Sequence, residues 1–452
     1  MIEHIFRAYD VRGVFNKELT ADTATKIGMA FGTYLKGKGR VIIGRDIRTS
    51  SEILENAFIA GLASTGVDVV STGLVPIPVL NFTARMGEYD AGAYITASHN
   101  PPEYNGVRLR RPDGSGYTNE NQEVWKTFLK GQFTLEKWDK LGKISRIDNK
   151  NSIKEYKDYL LQRIRIKRGV KAVLDIGNGA AFETAPQVLN EAGVDVVTIN
   201  DTPDGTFPAR PPEPNDKTLG GLKKKVVEEG ADFGVGYDGD SDRAIFVDDK
   251  GRTVQTEKIG IILCRDILKR KKGTVIANVS CSMIVEEEIE KLGGKVKRVR
   301  VGDVFVCEAI KEHNAVFAME TSAHLFMPEY YIFDDPILAT LLLSKTLAAS
   351  EKNLSTMADE INSYPYEEIN LNCKDDLKFR VMEEIIKSFK KKGHSLDLID
   401  GAKIKFPDGW ILLRTSNTAP LIRAAAEAKS KERLNEFLGI VRGEFEAAVE
   451  RV

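Results

Sequence analysis

The pentapeptide GVDVV occurs twice, as Gly66–Val70 and as Gly193–Val197, and each copy closes the same pattern: apolar strand, loop, amphipathic helix, glycine, apolar strand. The first unit runs from VIIG (Val41–Gly44) through a helix over about Ser51–Ser64. The second runs from KAVLDIGNG (Lys171–Gly179) through a helix over about Ala180–Glu191. A diverged third copy runs from TVIANVS (Thr274–Ser280) through a helix over about Met283–Leu292 to Gly294–Val299. A strand joined to the next by a helical crossover pairs with it in parallel, with the helix packed on the sheet. An internal repeat of this kind predicts three related α/β domains with mixed, mostly parallel sheets.

The last segment has another rhythm. From about Glu367 it reads as a strand, a helix over Lys378–Lys391, strands at Ile404–Phe406, Trp410–Arg414 and Leu421–Ala426, and a final helix. Leu434, Phe437, Leu438, Val441 and Phe445 share one face of that helix, which suits an α+β domain whose helix covers an antiparallel sheet. The expected division is 1–148, 149–250, 251–365 and 366–452, with boundaries in polar stretches.

At 452 residues, 42% hydrophobic and 29% charged, the chain is of ordinary globular composition. A net charge of -1 argues against a general nucleic-acid or acidic-membrane surface. No apolar stretch is long enough to span a bilayer, and the opening MIEHIFR lacks the features of a signal peptide, so the expected location is cytoplasmic. Cys264, Cys281, Cys307 and Cys373 have no zinc or C-x-x-C spacing and read as buried reduced thiols.

Four runs carry the chemistry. DGDSDR (Asp238–Arg243) sets three carboxylates on alternate residues beside a guanidinium, a donor set for a hard cation such as Mg²⁺; a solvated acidic turn is the other reading. The sixth and twelfth positions, Arg243 and Asp249, argue against an EF-hand, which asks for Gly and Glu there. Gly234, Gly236 and Gly239 spell G-x-G-x-x-G, but a short apolar run and a turn follow where a dinucleotide site needs a helix.

TASHNPPEYNG (Thr96–Gly106) follows an apolar strand and reads as a loop at a ligand-binding strand end, with a second turn expected at Asn105–Gly106. Ser98 beside His99 invites a hydrolase reading, but neighbours in a loop are not expected to aim at each other, and G-x-S-x-G is absent. RTSNTAPLIR (Arg414–Arg423) offers guanidinium, hydroxyl, amide and backbone N–H donors, which suits a phosphate as well as an ordinary hairpin loop. METSAH (Met319–His324) presents Glu320, Ser322 and His324 on alternate positions, able to share one face and to read neighbouring sugar hydroxyls, or else to form a solvated strand end.

Taken in order, one per domain, these runs resemble the α-D-phosphohexomutase superfamily, in particular its phosphomannomutase/phosphoglucomutase branch. FRAYDVRG (Phe6–Gly13), GRDIRTS (Gly44–Ser50), VPIPVL (Val75–Leu80) and FDDP (Phe333–Pro336) extend the resemblance along the chain. It implies three α/β domains and a TATA-binding-protein-like fourth around a central cleft. It further implies a phosphoserine at Ser98, with Mg²⁺ held by Asp238, Asp240, Asp242 and a phosphoryl oxygen on Ser98.

The implied reaction interconverts hexose 1-phosphate and 6-phosphate through a hexose 1,6-bisphosphate, which also serves as activator. Glu320 and Ser322 are implied to hold sugar hydroxyls, and Arg414, Ser416, Asn417, Thr418 and Arg423 the distal phosphate. Three departures stand out. The family's N-G-x-K lysine is Arg108, a poor general base, which turns attention to His99, His324 or water supported by Arg12. The sugar loop's usual glycines are Met319 and Ala323, and the FDDG run ends in Pro336. Phosphoglucosamine mutase is the alternative of the same chemistry; a metal-dependent sugar phosphatase and a non-catalytic sugar-phosphate-binding protein are alternatives of other classes.

Overall fold

In the computed structural model, which describes residues 2–7, 9–167, 169–415 and 420–452, the repeat units take the pairing their sequence demands. Arg40–Arg45 pairs in parallel with Asp68–Leu74, Val170–Asp175 with Val194–Ile199, and Thr274–Asn278 with Lys295–Val299. The helices between them cover Ser51–Ala63, Thr184–Ala192 and Ile284–Lys291. Gly193 has φ 104° and caps its helix in the left-handed region, which explains why the second pentapeptide opens with glycine: a side chain there would strain the turn that feeds the next strand.

Each of the first three sheets is mixed at one edge. In the first, Tyr104–Arg110 lies antiparallel to Ala91–Ile95 on one side and to Val11–Val14 on the other. In the second, Phe233–Tyr237 pairs antiparallel with Ala244–Asp248, so the glycines at 234, 236 and 239 lead into a hairpin, not a helix. In the third, Phe317–Met319 pairs antiparallel with Leu325–Phe326.

The fourth sheet is antiparallel throughout, in the order Tyr366–Asn372, Leu421–Ala428, Gly409–Thr415, Ala402–Phe406, Ser395–Asp397. The last short strand is too brief and polar to stand out in the sequence. Helices Lys378–Lys391 and Lys431–Glu450 contribute Val381, Ile385, Phe389, Leu434, Phe437 and Val441 to its core. Each such side chain stabilises by about 1.5–3 kcal/mol when fully buried. Ser430 begins the final helix by accepting the Arg433 N–H.

One apolar core runs unbroken from Ile42 and Val70 of the first sheet through Leu174 and Val235 of the second to Val275 and Phe317 of the third. The fourth unit has a separate core, joined to the third by a small cluster of Val279, Trp410, Leu412 and Ala425. At that junction Lys403 Nζ donates to the Val279 carbonyl (2.6 Å), and Glu427 Oε2 accepts from Met283 N (2.8 Å) and Trp410 Nε1 (2.7 Å). All four cysteines are buried and unpaired. Among the described residues no helix is long and apolar enough to cross a membrane.

Candidate active site

The cleft floor forms where loops from the first three units meet. Asp238, Asp240 and Asp242 bring carboxylate oxygens within 4.8 Å of one another, all buried. The turn that gathers them needs Ser241 at φ 65°, and its approach to the serine loop needs Gly239, whose Cβ would lie 2.9 Å from the Ser98 carbonyl. Ile77 N, in the VPIPVL run, donates to the Asp240 carbonyl (3.0 Å) and fastens the turn to the first unit.

Crowding sets the protonation of this triad. Burial, then the neighbouring Asp242 and Asp240, push Asp238 well above the usual carboxylate range, and burial with Asp242 raises Asp240 to about 6. Asp242 goes the other way: burial opposes its charge, but His324, Arg108 and Arg243 outweigh it. Oδ1 of Asp240 and Oδ1 of Asp242 are buried without a hydrogen-bond partner. Converging hard oxygens that repel one another, two of them without donors, fit a small divalent cation.

Ser98 sits against this cluster. Its Oγ lies 3.1 Å from Asp238 Oδ2 and 3.1 Å from His99 Nδ1, and the residue is only 1% exposed. The contact with His99 corrects the expectation that the two neighbours would point apart: Ser98 takes φ 50°, and this left-handed turn folds the ring back onto the hydroxyl. Burial, then Arg243 and Arg12, depress His99 to about 2, so its ring is neutral. Arg12 spans the same loop, donating to Asn100 Oδ1 (2.8 Å) and the Ala97 carbonyl (3.3 Å), while Asp10 accepts from its Nε (2.8 Å).

Asn105–Gly106 is not a turn but the start of the strand Tyr104–Arg110. The Asn105 amide donates to Ser50 Oγ (2.8 Å) and Ser51 Oγ (2.9 Å), and a Cβ on residue 106 would meet the Val11 carbonyl at 2.2 Å. Long-range partners thus override the local turn preference. The strand carries Arg108 to the cleft floor, where it donates to Asp242 Oδ2 (2.6 Å) and Asp303 Oδ2 (2.8 Å). Although burial opposes its charge, these carboxylates hold Arg108 well above its ordinary value, so it stays a cation. Asp303, also bonded to Arg110 (3.2 Å), was not singled out in the sequence; only its place after an apolar strand, in RVGD, marked it.

Glu320, Ser322 and His324 do not alternate along a strand; they span a tight turn in which Glu320 N donates to the His324 carbonyl (3.0 Å). Ala323 adopts φ 71°, a conformation suited to the glycine that resemblance leads one to expect there. Glu320 Oε1 accepts from Asn278 (3.0 Å) and Gly302 N (2.8 Å), and Oε2 lies 3.0 Å from His324 Nδ1.

His324 Nε2 faces Asp242 (3.4 Å), Asp334 (3.8 Å) and Arg243 Nε (3.0 Å). The arginine contact is a hydrogen bond only to a neutral ring, yet the surrounding carboxylates, Asp242 foremost, outweigh both burial and Arg243 and raise His324 well above its ordinary value. Pro336 fits its place: it occupies the first turn of helix Pro336–Ala348, whose N-cap Asp335 accepts from Leu338 N.

Ser322 lines a cavity of about 760 Å³ together with Arg243, Arg414 and Arg423. Arg414 and Arg423 are cross-strand partners in the fourth sheet, so two like charges face each other, an arrangement that favours an anion between them. Asp400 Oδ2 steadies Arg414 at 2.9 Å. Ser416, Asn417 and Thr418 lie outside the described residues.

Known proteins resemble this chain along its whole length. Family profiles described as phosphoglucomutase/phosphomannomutase alpha/beta/alpha domains I, II and III match residues 3–135, 153–251 and 255–364, and the C-terminal domain profile matches 368–443. A "Phosphoglucomutase/phosphomannomutase" of Thermococcus kodakarensis is 38% identical over 444 residues, covering 96% of each chain. A "Probable phosphoglucosamine mutase" of Methanopyrus kandleri is 36% identical over 443 residues, covering 97% of each. A crystal structure of a phosphoglucomutase/phosphomannomutase family protein from Burkholderia thailandensis superposes with a TM-score of 0.90 at 29% identity, covering 99% of this chain and 98% of that one. Four domain profiles in order, full-length relatives and a shared four-domain fold place this chain in the phosphoglucomutase/phosphomannomutase family of α-D-phosphohexomutases.

Proposed function

We propose that this protein interconverts hexose 1-phosphates and hexose 6-phosphates, with mannose and glucose as the sugars, by passing a phosphoryl group through Ser98. The observation that carries the reading is the Ser98 hydroxyl held 3.1 Å from Asp238 at the edge of an aspartate triad in which Oδ1 of Asp240 and Oδ1 of Asp242 have no hydrogen-bond partner. Asp238, Asp240, Asp242 and a phosphoryl oxygen on Ser98 would hold Mg²⁺, which when bound neutralises the charge of the transferring group.

The chain's own residues supply the rest. Arg414 and Arg423, with Ser416, Asn417 and Thr418 of the same sequence run, hold the phosphate not undergoing transfer. That hold accepts either end of the bisphosphate, which must turn over between the two half-reactions. Ser322 and the remaining acceptor capacity of Glu320 read sugar hydroxyls. Arg108 and Arg243 stabilise phosphoryl charge as permanent cations and move no proton. His324, whose pKa the surrounding carboxylates raise, gives a proton to the sugar oxygen as its bond to phosphorus breaks and takes it back in the reverse step; neutral His99, hydrogen-bonded to Ser98 Oγ, orients that hydroxyl, and Arg12 stiffens the loop beneath.

The S-N-T-x-P form of the fourth-domain loop and the Thermococcus kodakarensis relative support mannose and glucose. A second reading, glucosamine phosphate, is supported by the names of several full-length relatives. The deciding experiment is ³¹P NMR with Mg²⁺, a trace of glucose 1,6-bisphosphate, and mannose, glucose or glucosamine 1-phosphate in separate tubes. Growth of a 6-phosphate resonance ranks the sugars. Free phosphate alone marks a phosphatase, and no change with any sugar marks a binding protein; either overturns the mutase.

A further inference from the structure

We propose that Arg48, working with Asp46 and Thr96, is the positioning residue that fixes Ser98 for phosphoryl transfer, an inference that rests on Ser98 being the phosphoryl carrier. Both charged residues belong to GRDIRTS, a run to which the reaction assigns nothing. The Arg48 side chain is 0% exposed, yet among the described residues its only carboxylate partner is Asp46. All five of its N–H donors are used: Nε reaches Asp46 Oδ2 (3.1 Å), Nη1 the carbonyls of Pro101 (2.6 Å) and Tyr104 (3.0 Å), and Nη2 those of Ser98 (2.7 Å) and Asn100 (2.6 Å). The serine loop is wrapped around a guanidinium, and the face of Phe207 lies 5.3 Å from its carbon.

The other side of Ser98 is held by the same pair. Ser98 N donates to Thr96 Oγ1 (2.8 Å), Thr96 Oγ1 donates to Asp46 Oδ2 (2.7 Å), and Asp46 Oδ1 accepts from Arg48 N (3.0 Å) and Ser51 Oγ (2.5 Å). With its N–H fixed through Thr96 and its C=O fixed by Arg48, Ser98 is kept at φ 50°, a region a serine does not favour. The hydroxyl's remaining freedom is rotation about χ1, which Asp238 and His99 restrict in turn. A lysine cannot replace this fork, because one ammonium with three donors on a single nitrogen cannot reach four carbonyls and a carboxylate.

The step to follow is transfer from glucose 1,6-bisphosphate to the enzyme: a sugar O–P bond breaks, the Ser98 Oγ–P bond forms, and the serine proton ends on the sugar hydroxyl released. Rates are normalised to the fraction of chains that take up one phosphoryl group by intact mass, so misfolded protein drops out. Arg48→Lys is expected to slow this step roughly 10- to 100-fold with the half-saturating bisphosphate concentration within about threefold of wild type, the pattern of lost positioning, not lost binding. Val41→Ala, a buried change elsewhere in the same sheet, serves as the comparator for general destabilisation and should transfer at the wild-type rate.

If Arg48→Lys does not fold, Thr96→Val frees the other end of Ser98 and should slow the same step. Transfer at the wild-type rate by a folded Arg48→Lys, or by Thr96→Val if Arg48→Lys does not fold, overturns the inference alone. A wild-type enzyme that takes up no phosphoryl group overturns the mutase reading and the inference together.

Discussion

A lone buried carboxylate and a cluster of three meet at one hydroxyl. Thr96 Oγ1 lies 2.7 Å from Asp46 Oδ2 and 3.0 Å from Asp240 Oδ2, but a hydroxyl has one proton and donates to one acceptor at a time. On the Asp46 side each carboxylate oxygen is met by donors, from Arg48, Ser51 and Thr96. On the other side the aspartates face one another, and oxygens of Asp240 and Asp242 lack donors. Satisfied, a buried charge is scaffold; left short, it is a site that awaits a ligand.

The largest effect should come from the hydroxyl that touches the triad. Ser98→Ala should lower turnover by about 10³-fold or more with the fold intact, checked by a coupled assay beside circular dichroism; near-normal turnover removes Ser98 from the reaction. Next in size, Asp46→Asn strips its carboxylate partner from buried Arg48 and should cost about 3–5 kcal/mol in urea unfolding, with or without Mg²⁺.

Asp240→Asn should do the reverse. In chelator it removes a repelled charge and should stabilise the protein by roughly 1–3 kcal/mol near neutral pH, while abolishing the rise in Tm that Mg²⁺ gives the wild type. Because Asp240 is raised to about 6 when folded, its contribution in the metal-free protein is fully present below the unfolded carboxylate range and is lost as pH rises through about 6. Equal behaviour of the Asp46 and Asp240 variants would erase the distinction between scaffold and site.

The smallest effect tests a third incompletely satisfied ion. Lys403, at the junction of the third and fourth units, is lowered to about 7 by burial and then by Arg298. The folded state releases its proton earlier than the unfolded chain, so stability should climb from about pH 7 towards pH 10, by about 1 kcal/mol over the first unit. Lys403→Met should flatten that slope in urea titrations; an unchanged slope assigns it to other groups.

Much of this molecule is legible from short segments. The twin GVDVV units declare parallel strand pairs because strand, helix and glycine turn are each local signals. DGDSDR declares a cation site because its three carboxylates are neighbours in the chain. What the sequence conceals depends on distant partners. Asn105–Gly106 looks like a turn until Ser50, Ser51 and the edge strand at Val11 are beside it. Arg48 looks like a surface residue of a charged run until carbonyls some fifty positions away close around it. Asp303 gains its meaning only when the third unit brings it to Arg108. His99 reaches Ser98 because one residue turns left-handed, a conformation no side chain type announces.

The most direct test follows the phosphoryl group itself. Enzyme carrying ³²P on Ser98 is mixed with unlabelled glucose 1-phosphate or mannose 1-phosphate and Mg²⁺, and the label is traced over one turnover. Label that leaves the protein and appears in sugar bisphosphate and 6-phosphate is the outcome predicted here. Label that stays on the protein, or leaves only as inorganic phosphate, contradicts it.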